Sequence, residues 1–310
     1  MKLSFRKLAF IAVPGFAIFA SCHKDNNPAP NPAPTPTPLQ AYISSDTSLS
    51  IYNAAILKAN DAALYAGMDS VTVLVPTNDA FRAQGITAAT ISSMSSTAVD
   101  SLLRYNYINQ SANLTNGKYT TFSSYLGSPI YGYGGTTDSN FFNGAQATRV
   151  AIPNSEATVY RLNTPLTVPY SSNTGYFGAD TSLSYFNAAL TRAGIDPTTN
   201  TGWTTVLAPT NNAFIAAGYP TIASVQNADS AKLRTTLMYN MLPGQYFSNS
   251  YNGVTTLPSS VPGANVTIGT SATGATFEGT GNSTPIGFAG SNQLVGSNTI
   301  YQPVNGILAQ

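Results

Sequence analysis

The sequence predicts an α+β protein built from two diverged copies of one domain, and three observations lead there. The first is a tandem repeat. Val73-Leu74-Val75-Pro76-Thr77-Asn78-Asp79-Ala80-Phe81 returns as Val206-Leu207-Ala208-Pro209-Thr210-Asn211-Asn212-Ala213-Phe214, offset by 133 residues. Asp46-Thr47-Ser48-Leu49-Ser50 returns as Asp180-Thr181-Ser182-Leu183-Ser184, and Tyr105-Asn106 as Tyr239-Asn240, both offset by 134. A near-constant offset over three separated blocks marks a duplication. The second observation is that each copy places apolar residues at helical spacing ahead of a β-branched apolar run. The third is composition. Charged residues make up 8% of the chain, against about 25% in ordinary domains, so Ser, Thr, Asn and Gly cover the surface, as suits strand-rich domains.

In chain order, Lys2, Arg6 and Lys7 come first, and an apolar run over 8–20 follows, broken by Pro14 and Gly15. That run suits a signal-peptide core and is too short for a membrane span of about 20 residues. It ends in Phe19-Ala20-Ser21-Cys22, which resembles a bacterial lipobox, with Phe19 where Leu is usual. Residues 1–21 are therefore expected to be a lipoprotein signal peptide. Cys22, the only cysteine, has no intrachain partner, and lipidation gives both its position and its solitude a reason. Each inserted acyl CH₂ adds roughly 0.8 kcal/mol of membrane affinity. His23-Lys24-Asp25 loosely resembles the surface-export signal of Bacteroidetes lipoproteins. Residues 22–38 then form a Pro-rich linker, an extended stalk that lifts the folded part off the membrane.

The first domain is expected over 39–169 and the second over 174–310, with a short junction between. Leu49, Ile51, Tyr52, Ala55, Ile56 and Ala59 recur at helical spacing, as do Leu183, Phe186, Leu190 and Ala193. Asp46 and Asp180 are expected as caps and Gly194 as a stop. The runs 71–75 and 204–208 read as buried strands, each leaving through a proline into a turn. Asn78 and Asn211 are expected to close that turn by bonding nearby backbone. Short helices follow, with Phe81 and Phe214 turned inward. Further helices are predicted over 101–108 and 231–242, then short antiparallel strands around 117–122 and 265–268. The glycine-rich stretch 131–135 reads as a loop or bulge.

These blocks resemble the fasciclin (FAS1) domain family. Its "TVFAPTNxAF" signature stands here twice, as TVLVPTNDAF over 72–81 and TVLAPTNNAF over 205–214. The resemblance marks Pro76, Thr77, Asn78, Phe81, Pro209, Thr210, Asn211 and Phe214 as structural signature residues. It covers nearly all of the chain after the linker. It implies two tandem fasciclin-like domains, each a wedge-shaped β-sandwich flanked by short helices, and a role in adhesion or extracellular binding. The family's Tyr-His pair, tied in its members to receptor binding or domain stability, is Tyr105-Asn106 and Tyr239-Asn240 here. Both histidines are replaced, so imidazole chemistry is absent from that position, and the pairs are read as a binding motif or as a structural one, a packed Tyr beside an Asn bonded to a neighbouring loop.

No catalytic residue, cofactor or metal is expected. The lone histidine, His23, lies beside the anchor, so neither a Ser-His-Asp nor a Cys-His arrangement is available. Without the leader's three cations the chain holds ten Lys and Arg against twelve Asp and Glu, a balance that does not steer toward nucleic acid. The expected partners are the membrane, through the lipid anchor, and an extracellular or envelope protein or glycan. The function expected is that of an outer-membrane, cell-envelope adhesion lipoprotein. Two other readings stay open. One is a glycan-binding accessory protein of an uptake system, with Tyr125, Tyr131, Tyr133, Tyr246 and Tyr251 stacking on sugars. The other is an envelope scaffold without a ligand. Asp69-Ser70, Asp100-Ser101 and Asp229-Ser230 also resemble short O-glycosylation sites.

Overall fold

The computed structural model describes residues 35–66, 70–135 and 139–310. The signal peptide, Cys22, the linker up to residue 34 and Asp69 lie outside the described residues. Thr37 caps the first helix, α1 (Pro38–Ser45), accepting from the Gln40 backbone, with Pro38 at the first helical position. A 3-10 turn capped by Asp46 leads into α2 (Ser50–Ala59). There follow β1 (Thr72–Pro76), α3 (Asn78–Ala83), α4 (Ala88–Ser93), α5 (Ser96–Tyr105), β2 (Tyr107–Ile108), β3 (Tyr119–Ser123), β4 (Pro129–Gly134), β5 (Asn140–Phe142), β6 (Ala145–Ala151) and β7 (Thr158–Leu162). The second repeat runs α6 (Asn173–Ala179), α7 (Ser184–Ala193), β8 (Thr204–Pro209), α8 (Asn211–Ala216), α9 (Ile222–Gln226), α10 (Ser230–Tyr239), β9 (Met241–Pro243), β10 (Thr256–Pro258), β11 (Asn265–Ser271), β12 (Gly274–Glu278), β13 (Ile286–Gly287), β14 (Gln293–Val295) and β15 (Thr299–Val304).

The strand of each signature block is the hinge of its domain's packing. Every residue of β1 and β8 is buried, and their side chains alternate between two cores, as the two-residue period of a strand requires. Val73 and Val75 face the helices, packing with Tyr52, Ile56 and Leu103. Leu74 faces the other way, toward Phe122, Ile130, Phe142 and Tyr160. In the second repeat Val206 and Ala208 meet Phe186, Leu190 and Leu237, while Leu207 meets Val266, Ile268 and Phe277. Both signature strands pair in parallel with the closing strand of their own repeat, β1 with β7 and β8 with β15.

The sheets of the two copies differ. The first repeat forms one seven-stranded sheet in the order β2-β1-β7-β6-β5-β4-β3, and an isolated bridge between Ile108 and Ser124 brings its two edges together. In the second repeat the strands divide into two four-stranded sheets, β14-β15-β8-β9 and β10-β11-β12-β13. The architecture is mixed α/β with helices against strand layers, as the repeat predicted.

Two element expectations are corrected. The helices predicted over 101–108 and 231–242 end at Tyr105 and Tyr239, because the chain reverses at Asn106 and Asn240 and continues as β2 and β9, antiparallel to the signature strands. The stretch 131–135, expected as a loop, is mostly strand β4. Gly132 is a packing requirement: a Cβ there would stand 2.5 Å from Leu114 and 2.7 Å from Phe122. Helix α7 stops as predicted, with Gly194 left-handed at φ 63°.

Candidate binding site: buried signatures and an uncharged seam

The signature residues work inside the fold. β1 and β8 end at Pro76 and Pro209, and Thr77 and Thr210 then cap α3 and α8, accepting from the Ala80 and Ala213 backbone at 3.2 and 3.4 Å. The asparagines do not close that turn, as had been expected. Asn78 reaches 27 residues back. Its Oδ1 accepts from the Ile51 N–H at 2.9 Å, and its Nδ2 donates to the Thr47 carbonyl and the Ser50 hydroxyl. Asn211 repeats the arrangement on Tyr185, Thr181 and Ser184. Each therefore clamps the start of α2 or α7, where backbone N–H groups lack helical partners. Phe81 and Phe214 are buried against the same helices.

The Tyr-Asn pairs are buried completely. Asn240 Nδ2 donates to the Thr236 and Leu308 carbonyls, and its Oδ1 accepts from the Leu308 N–H at 3.0 Å. Asn106 Nδ2 donates to Leu102 and Leu166 in the same way, but its buried Oδ1 has no partner. Tyr239 donates to the Asn265 carbonyl at 2.7 Å. Tyr105 donates to the Pro129 carbonyl and accepts from Asn143 Nδ2 at 2.8 Å. Burial pushes the Tyr105 phenol above its ordinary range, although the bond from Asn143 opposes the shift. The pair is thus a strut, out of reach of a ligand.

The five tyrosines considered for sugar stacking do not form a platform. Tyr131 and Tyr251 are buried, Tyr133 packs on Tyr119 and Phe141, and Tyr246 lies beside Tyr251. Tyr125, 48% exposed, packs edge-on against Tyr107 at 5.8 Å with Arg104 5.2 Å over its ring. Of the short Asp-Ser sites, Asp229 caps α10 and Ser230 donates to the Arg192 carbonyl, while Asp100 pairs with Arg104 at 2.7 Å.

What the sequence reading missed is the seam between the repeats. Tyr131, Phe247, Leu294 and Ile300 form an apolar plug, flanked by Tyr119 and Trp203. Tyr131 meets the Trp203 ring edge-on at 5.1 Å. Polar bonds surround the plug. The Tyr119 hydroxyl lies 2.6 Å from Ser250 Oγ and donates to Asn249, and its phenol is pushed upward by burial. Ser248 donates to the Gly144 carbonyl, and Asn292 Nδ2 donates to the Asn143 carbonyl at 3.1 Å. Thr167 donates to Gln293 at 2.6 Å. Beyond Thr167, Tyr170 adds a parallel bridge onto β14. Asn143-Gly144 is the hub. Its residues are left-handed at φ 47° and 83°, forming the two-residue hairpin between β5 and β6. The Asn-Gly pair is a strong hairpin signal and was legible in the sequence. Its second role, receiving the other repeat, was not.

Among the described residues no three His, Cys, Asp or Glu side chains are grouped to hold a metal, and no helix is long and apolar enough to cross a membrane. Two copies of one α/β module, joined by a bonded seam and with their shared motifs spent on internal struts, define a tandem-repeat protein. The fasciclin domain model matches residues 47–169 and 181–295, more than half of the chain, and the chain therefore belongs to the fasciclin family. Fasciclin domains are non-catalytic and are generally linked to adhesion, and this chain is not an enzyme. Among solved structures it is similar to a FAS1 domain pair from the insect cell adhesion molecule fasciclin I. That pair is 15% identical, with 84% of this chain and 96% of that chain covered and a TM-score of 0.41. No curated protein matches it.

Proposed function

We propose that the protein is a lipid-anchored, outer-membrane adhesion protein of the bacterial cell envelope, of Bacteroidetes type, that presents its fasciclin pair to an extracellular or envelope protein. In this reading residues 1–21 are the signal peptide, Cys22 carries the lipid and 22–38 form the stalk. Residues 39–169 and 174–310 are the two domains, each a variant of the family's wedge-shaped sandwich. With the signature residues buried, contact with a partner falls to the outer faces of the helices.

The observation that carries the reading is a difference between the copies. On α3, Asp79 and Arg82 form an exposed ion pair at 3.3 Å. The same positions on α8 are Asn212 and Ile215, and Ile215 is 47% exposed. Ile222 on α9 is exposed as well, and it lines an open groove with Ser184, Asn187, Ala188, Thr191 and Arg192 of α7. A helical face on the farther repeat that exposes Ile215 and Ile222 among polar side chains, with Arg192 the one cation lining the groove, suits a protein partner.

The test is attachment of protein-coated beads to cells and to envelope preparations. Ile215→Arg combined with Ile222→Lys should abolish attachment while leaving the melting curve unchanged. Undiminished attachment by that variant would sink the proposal. Mass spectrometry of the mature N-terminus checks the anchor separately, where an unmodified Cys22 would remove the lipoprotein part.

A further inference from the structure

Two clefts open side by side along the seam. The inner one has a volume of about 180 Å³ and the outer about 450 Å³, and they share Gly144, Ser248, Thr273 and Phe288. The outer volume falls within the roughly 300–1,000 Å³ typical of ligand sites. Neither cleft is lined by a charged side chain. The outer wall is built from both repeats: Phe141, Gln146 and Asn163 come from the first, Asn249, Asn252 and Thr273 from the second.

We propose that this groove binds a neutral saccharide. A sugar ring offers hydroxyls that both donate and accept, and it offers an apolar C–H face. Amide and hydroxyl side chains are the matching donors and acceptors, and an aromatic ring is the matching surface. Phe288 and Phe141 are each half-buried, so each shows part of its ring to the groove. Phe288 is held by Phe277 at 5.3 Å and Tyr251 at 6.1 Å, and Tyr251 is itself fixed by Gln302 at 2.7 Å. The ring is therefore in place before a ligand arrives, which lowers the cost of binding. An anionic or cationic ligand would lose hydration and meet no opposite charge. A purely apolar ligand would leave the wall amides without partners. The site is complete only when the repeats are joined, which gives the seam a use beyond rigidity.

The site is independent of the helical face assigned to protein adhesion, and its test is chosen to separate the two. Full-length protein is titrated calorimetrically with neutral oligosaccharides, with uronic-acid and sulfated oligosaccharides, and with an uncharged peptide. Neutral oligosaccharides alone should bind. Thr273→Asp and Asn252→Asp, both at exposed groove positions, should weaken binding at least tenfold with the melting curve intact. The Ile215→Arg, Ile222→Lys variant should bind like the parent. The proposal is overturned if no neutral oligosaccharide binds, if charged sugars or the peptide bind instead, or if both carboxylate variants bind as well as the parent.

Discussion

At the residue scale, the two copies of one asparagine are not equivalent. Asn240 spends both ends of its amide, whereas Asn106 holds a buried oxygen with no partner. Deleting a fully bonded buried group strands its partners, at about 1–3 kcal/mol for each. Asn240→Ala should therefore lower stability by about 3 kcal/mol and Asn106→Ala by distinctly less, measured as urea midpoints. Equal losses would contradict the assignment. Asp46 makes a pH prediction. The Ser48 hydroxyl bond holds its carboxyl below the ordinary range, burial opposes this, and the Ser48 backbone and Arg161, 2.9 Å away, add to the lowering. A depressed carboxylate stabilises the fold above its unfolded value of about 3.9 and loses that contribution as pH falls through the folded value. Asp46→Asn should cost about 1 kcal/mol at pH 7, since the pair is part-exposed and screened by solvent. The gap from the parent should close below pH 4.

At the element scale, periodicity revealed the long helices and the signature strands because one dominant neighbour layer orders each of them. It failed where an element's identity depends on contact across the sheet. β4 reads as Pro-Ile-Tyr-Gly-Tyr-Gly, which by composition is a loop, yet it pairs with β3 and β5 on either side. Gly132 sits where Leu114 and Phe122 already fill the space. Gly132→Ala should destabilise the protein by about 1–3 kcal/mol, the usual cost of overpacking. Loss of hydrogen-exchange protection confined to β3, β4 and β5 would be the signature of that change. Likewise β2 and β9 continue apolar runs that sequence alone assigns to helix. Only the edge of β1 or β8, waiting with unpaired backbone groups, makes strand the better state.

At the scale of the whole molecule, the seam turns two domains into one unit of 36–310. Gly144 sets how closely they approach: a Cβ there would lie 2.3 Å from Asn292 Nδ2 and 2.8 Å from Ser248 Oγ. Gly144→Ala adds that wedge to a left-handed backbone that favours glycine. We expect the parent to melt in one transition and this variant in two, by calorimetry, with the radius of gyration increased in small-angle scattering. One unchanged transition would show that the seam does not couple the repeats. Alkaline pH should act similarly and reversibly. Tyr119, raised by burial, supports the seam fully below about pH 10, and its contribution is lost as pH rises through the higher folded value.

The amino-acid sequence by itself determined the duplication, the fasciclin family and the identity of the signature strands. Each of these rests on short blocks whose spacing survives divergence. It marked Tyr105, Asn106, Tyr239 and Asn240 as a repeated pair, although not the asymmetry between the bonds of Asn106 and Asn240. Only the tertiary structure decided where a ligand has room. Gly144, Asn249, Thr273 and Phe288 lie far apart along the chain and share no motif. They become a groove because the two repeats meet there, and the meeting depends on the fit of Tyr131, Trp203 and Phe247, a matter of shape that composition and periodicity do not carry.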